Sequence, residues 1–98
     1  MGSVFQRYFP KARWALVYWD DTALIFIRRL REFSALIDAN EFRDVKPDAT
    51  PEFFAKGLVS SRVKRRRIIA ELERNQRLHP DSRLTQQWLT MAQTIENR

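Results

Sequence analysis

Trp14-Ala15-Leu16-Val17-Tyr18-Trp19, the pair Asp20-Asp21, and Thr22-Ala23-Leu24-Ile25-Phe26-Ile27 ahead of Arg28-Arg29 form the stretch whose reading decides the fold. Two runs rich in β-branched and aromatic residues flank two residues that tolerate turn conformations, which is the signature of a β-hairpin. Strands are expected near 14–19 and 22–28. With strict alternation, Trp14, Leu16 and Tyr18 share one face with Ala23, Ile25 and Ile27, while Val17 and Trp19 share the other with Leu24 and Phe26. Both faces are then apolar. A hairpin with one wet face alternates polar with apolar residues, so this one expects cover on both sides. A lone two-stranded ribbon is marginal in water, and the remaining chain has helical periodicity. The cover comes from those helices, from a missing sheet, or from a second copy paired through the hairpin.

Working outward, Leu30, Phe33, Leu36 and Ile37 recur at helical spacing up to Asn40, a natural helix stop. A short extended piece at 42–45 leads to Pro47 and Asp48. Thr50-Pro51-Glu52 supplies an N-cap, a proline at the first helical position and an acid in the first turn; Gly57 is expected to end that helix. Ser60 or Ser61 caps the next one, which runs to about Leu78, where His79-Pro80 stops it. Asp81 or Ser82 caps the last helix, whose Leu84, Trp88, Met91 and Ile95 form a stripe at i, i+4, i+7 and i+11.

The length of 98 residues fits one small domain, 1–98, or a fragment of a larger one. Its parts are a hairpin over 14–28, short helices and a connection over 30–59, and a helical pair over 60–98. Hydrophobic residues at 44% and charged residues at 31% belong to a folding chain and not to a disordered tail. The absence of cysteine excludes disulfides, thiolate nucleophiles and cysteine-ligated metal centres. No apolar run approaches the roughly 18 residues that span a bilayer, and Arg7, Lys11 and Arg13 interrupt the N-terminal aromatics. Met1-Gly2-Ser3 reads as a remnant of expression. Myristoylation at Gly2 is rejected, because Gln6 stands where that motif needs Ser or Thr.

The turn Leu78-His79-Pro80-Asp81, with Leu72 before it, resembles the end of a tetratricopeptide repeat. Asn75 departs from the alanine usual there, and Trp88, Met91 and Ala92 fit only after an insertion. One and a half helix pairs make a terminal or degenerate piece, since a stable solenoid needs about three repeats. The stretch from Trp14 to Arg29 is similar to a segment in soluble portions of large bacterial polytopic membrane proteins. Those proteins resemble dolichyl-phosphate-mannose-dependent glycosyltransferases, and some continue into tetratricopeptide repeats. The resemblance implies a membrane-associated location and an extramembrane role; it does not imply sugar transfer by this chain.

Candidate chemistry is sparse. Asp20 and Asp21 are adjacent turn residues whose carboxyl groups point apart, unlike a glycosidase pair separated by about 5 to 9.5 Å across a pocket. His79 stands without a second histidine or a cysteine, so it reads as a helix-terminal residue near the last carbonyls. Gly2 and Gly57 are the only glycines, too few for a phosphate loop. No catalytic residue, metal ligand or cofactor site is assigned.

The basic run carries more weight. Residues 60–79 hold seven cations against Glu71 and Glu73, so +5 of the formal +6 lies in one helix. Arg62, Lys64, Arg65, Arg66, Arg67 and Arg74 are therefore the candidate polyanion-binding residues. Cations near a helix N-terminus oppose its dipole by about 0.3 to 1 kcal/mol each, so something else must favour them there. Against the functional reading stand a solvated basic face and arginine stems lying over apolar surface. Trp88, Met91 and Ile95 are either core or a face that docks a partner.

The sequence thus predicts an α+β chain, a two-stranded antiparallel hairpin followed by about four helices with the last two a tetratricopeptide-like helical hairpin. Its expected function is non-catalytic, as a protein-interaction or scaffolding module of a membrane-associated bacterial protein. The partner is another protein or a second copy, with an anionic membrane surface also compatible. Nucleic-acid binding through Arg62 to Arg67 is the alternative.

Overall fold

The computed structural model describes residues 7–97; the readings on Met1-Gly2-Ser3 and on Gln6 lie outside the described residues. Its elements follow the expected order. Strands β1 (Trp14–Trp19) and β2 (Leu24–Arg28) form a two-stranded antiparallel sheet. A 3-10 turn (Arg31–Phe33) leads into α1 (Ser34–Asn40), and α2 (Pro51–Ser60), α3 (Arg62–Leu78) and α4 (Arg83–Glu96) follow.

The hairpin register departs from strict alternation. Trp14 pairs with Arg28, Ala15 with Ile27 and Leu16 with Phe26, but then Tyr18 pairs with Ile25 and Trp19 with Leu24. Val17 is the extra residue of a β-bulge. A bulge restarts the period-two count, so Leu16 and Trp19 fall on one face, where alternation would have separated them. Both are buried, Trp19 completely. β2 begins at Leu24 and not at 22, because the Asp20 carboxylate accepts the N–H groups of Thr22 and Ala23, both at 2.8 Å. That side-chain turn occupies the residues a longer strand would have used.

Helix boundaries follow the capping chemistry, with one correction. The Thr50 side chain accepts from Phe53 N, Ser61 from Lys64 N and Ser82 from Thr85 N. Gly57, expected to stop α2, lies inside it. A C-terminal glycine acts through a positive φ, and none occurs here; the extended Ser61 backbone makes the break instead. At the end of α1 the Asn40 side chain donates to Leu36 O at 2.8 Å.

Helices α2, α3 and α4 pack against one another, and α1 packs on β1. One core joins Leu16 and Trp19 of the sheet to Phe42 and Val45, to Phe54 and Leu58 of α2, to Ile68 and Leu72 of α3, and to Trp88, Leu89 and Ala92 of α4. The sheet is therefore covered on the Leu16–Trp19 face. Along the 30–37 stripe only Ile37 is buried; Leu30, Phe33 and Leu36 stay exposed. A single short helix laid on β1 turns one edge inward, and its remaining apolar side chains have nothing above them.

Candidate functional site

The N-terminal turns of α3 bring the basic run beside the last turn of α4, because the short 79–82 connection makes the two helices antiparallel. Glu96 ends α4 there. Its carboxylate meets Arg65 at 3.1 Å, Arg62 at 3.6 Å and Arg66 at 3.8 Å. Arg65, first among these, holds the Glu96 carboxyl below its ordinary value. The carboxylate and the α4 C-terminal carbonyls offset the dipole penalty of placing arginines at a helix start. Arg65 is mostly buried and also donates to Leu58 O at 3.0 Å, tying α2 to α3.

The other expected cations divide in the same way. Arg67 pairs with Asp44 at 3.3 Å, and Arg74 lies over the Phe42 ring at 3.9 Å while donating to the carbonyls of Asn40 and Glu41. Of the six, Lys64 and Arg74 have no ion pair among the described residues, and Arg74 is held by carbonyls and the Phe42 ring instead. The structure thus places Arg62, Arg65 and Arg66 together on Glu96, separates Arg67 and Arg74 onto the 40–45 segment, and leaves Lys64 facing α2.

Glu71, counted in the sequence only as a charge, organises that segment. It accepts the N–H groups of Arg43 at 2.7 Å, Asp44 at 3.1 Å and Val45 at 2.9 Å. Consecutive backbone N–H groups converging on one carboxylate form an anion-holding nest. Burial, the largest influence, nevertheless keeps the Glu71 carboxyl above its ordinary value, with the three N–H bonds opposing it. A signal was present: Glu71 follows Ile68 by three and precedes Asn75 by four, so an acid stands on the inward side of the helix. Glu41, its neighbour in the loop, is nearly buried and paired with Arg29 and Arg43.

The turn residues also acquire roles. Asp20 and Asp21 point apart as expected. Tyr18 donates to Asp20 at 2.6 Å, and this bond with the backbone bonds holds the Asp20 carboxyl down at about 2. Asp21 instead accepts from Ser82 Oγ at 2.5 Å and Arg83 N at 2.9 Å, fastening the hairpin to the N-terminus of α4. The Ser82 bond leads a lowering of its pKa. Behind it the buried Asn75 donates to Thr85 Oγ1 at 3.0 Å, which gives a physical reason for an amide where the repeat resemblance expects alanine. The His79 ring packs edge-on against Tyr18 at 5.1 Å, while its backbone N–H caps α3.

Trp88, 4% exposed, stacks on Phe54 with ring centres 4.2 Å apart, and Met91 and Ile95 pack half-buried against the same core. Among the described residues the large apolar side chains that remain outward lie elsewhere, at Ile25, Leu30, Phe33 and Leu36 in one segment and at Tyr8, Val59, Val63 and Leu78. Among the described residues no three His, Cys, Asp or Glu side chains group to hold a metal ion, and no helix is long and apolar enough to cross a membrane. Compared with family models, with curated proteins and with solved structures, the chain finds no match in any of the three.

Proposed function

We propose that the chain is a non-catalytic protein-interaction module of a membrane-associated protein, docking a protein partner through residues 25–36. The observation that carries this reading is exposure. Ile25 is 48% exposed, Leu30 41%, Phe33 37% and Leu36 48%, within a segment of a dozen residues of a small protein. Scattered single apolar residues need no explanation, whereas a concentration of large ones in one segment is a feature of interaction surfaces. The exposed Arg28 and Arg31 flank them. The partner that fits is a protein surface with an apolar centre and an acidic rim. The arginines of α3 are largely engaged within the fold, which weighs against a nucleic-acid module. The resemblance of residues 14–29 to extramembrane segments supports the membrane-associated part of the reading.

Photo-cross-linking in cells tests it, with a reactive side chain at Phe33 or Leu36 and a control at the exposed Gln87. The expected result is an adduct with one protein, identified by mass spectrometry, at 33 and 36 but not at 87. The purified partner should then bind at least tenfold more weakly to Leu36→Glu with unchanged far-UV circular dichroism. Adducts with lipid alone, or with a second copy alone, would overturn the reading.

A further inference from the structure

A hollow beside α2 and the 44–49 loop brings two ammonium groups together. Lys46 and Lys64 both line it, with Asp44, Phe53 and Gly57. Lys46 is half-buried, its Nζ 5.4 Å from the centre of the Phe53 ring, so the stem is steadied against an aromatic face. The end of Lys64 passes over Gly57, where a β-carbon would stand 3.9 Å from both its Cε and its Nζ. A second hollow is lined by Lys46, Lys11 and Arg43 together with Glu41 and Asp48, and the Lys11 ammonium is held by the Arg43 carbonyl at 2.6 Å.

The surrounding arginines lie beside carboxylates, though not one for one. Arg67 has Asp44, Arg43 has Glu41, and Arg62, Arg65 and Arg66 share Glu96. No ion pair joins Lys11 or Lys64 to a carboxylate among the described residues, while Lys46 feels Asp48 and Asp44. Burial disfavours the charge on Lys46 most, and Lys64 and then Lys11 press on it further, so its pKa is lowered; Asp48 and Asp44 oppose this. Like charges converging on a half-buried ammonium raise the energy of the unliganded fold, and a bound anion relieves it. Asp44, the acid lining the hollow, is already engaged by Arg67.

We propose that Lys46, with Lys64 and Lys11, binds a phosphate-class oxyanion, delivered either as a free phosphate or as the headgroup of an anionic phospholipid. Lysine suits this role because its ammonium is a compact charge with three rotatable donors, which meets tetrahedral oxygens without a fixed fork. The site lies apart from residues 25–36, so it stands independently of the partner surface proposed above.

The test follows thermal unfolding of the whole chain at low ionic strength with inorganic pyrophosphate, against chloride at matched ionic strength. Co-sedimentation with phosphatidylglycerol-containing vesicles runs in parallel. Lys46→Gln should melt higher than the parent chain without ligand, because a repelled charge is gone, and should bind at least tenfold more weakly. Lys64→Gln should weaken binding in the same direction, and it replaces Lys46→Gln if that variant fails to fold. Arg66→Gln, whose cation pairs with Glu96, should stay within twofold of the parent. A Lys46-dependent response to pyrophosphate assigns free phosphate, and Lys46-dependent binding to vesicles alone assigns the lipid headgroup. No binding to either probe, equal binding by Lys46→Gln, or an equal loss in Arg66→Gln would overturn the proposal.

Discussion

Removing the Glu71 carboxylate should detach the 43–45 loop from α3. In Glu71→Ala three backbone donors lose their acceptor. They are not equivalent. Arg43 is exposed and Asp44 partly so, and their N–H groups can turn to water at a net loss of about 0.5 to 1.5 kcal/mol each. Val45 is only 2% exposed, so its N–H stays buried without a partner, which costs about 1 to 3 kcal/mol. The expected total is about 3 kcal/mol. For a domain of this size that lowers Tm by roughly 12 to 24 °C, at 4 to 8 °C per kcal/mol. Thermal and urea unfolding followed by circular dichroism measure it, and amide exchange at Val45 should lose its protection. Glu71→Gln keeps one acceptor oxygen and should lose less. The pH dependence has a definite sign: the folded carboxyl sits above its ordinary value, so its contribution is full below the unfolded pKa and declines as pH rises through the folded one. The stability advantage of Glu over Gln at position 71 should therefore shrink from pH 4 upward. A loss under about 1 kcal/mol in Glu71→Ala, with Val45 still protected, would refute the nest as the loop's anchor.

Two further outcomes are expected. Trp88→Ala removes a buried ring stacked on Phe54 and should cost about 3 to 5 kcal/mol by denaturant unfolding, enough to unfold a marginal small domain; an unchanged Tm would place Trp88 at the periphery. Asp20 and Asp21 have folded pKa values below their unfolded ones, so their stabilisation is complete above about pH 4 and lost as pH falls through the folded values, toward about 2 for Asp20. Asp20→Asn and Asp21→Asn should each flatten the acid limb of a stability-against-pH curve, and an unaltered limb in both would contradict the assigned bonds.

What the sequence determined by itself is local. Thr50-Pro51, the pair Ser60-Ser61 and the pair Asp81-Ser82 announce their helices because an N-cap needs only its own side chain and a backbone N–H three residues on; the structure selects Ser61 and Ser82. The two apolar runs about Asp20-Asp21 announce the hairpin for the same reason, and the Trp88 stripe announces an inward face. Tertiary structure decided everything that joins distant residues. The Val17 bulge sets which hairpin face is core, and no period-two count contains it. Glu96 explains why the arginines crowd the start of α3, but it lies some 30 residues away and meets them only once the helices pair. The same holds for Asp21 on Ser82 and for Glu71 on the loop. Charge in a sequence counts cations, whereas the folded chain also decides which carboxylates stand beside them, as Glu96 stands beside Arg62, Arg65 and Arg66. Burial likewise is a property of neighbours: helical spacing groups Leu30, Phe33, Leu36 and Ile37, and only the folded chain decides that Ile37 alone of them is buried.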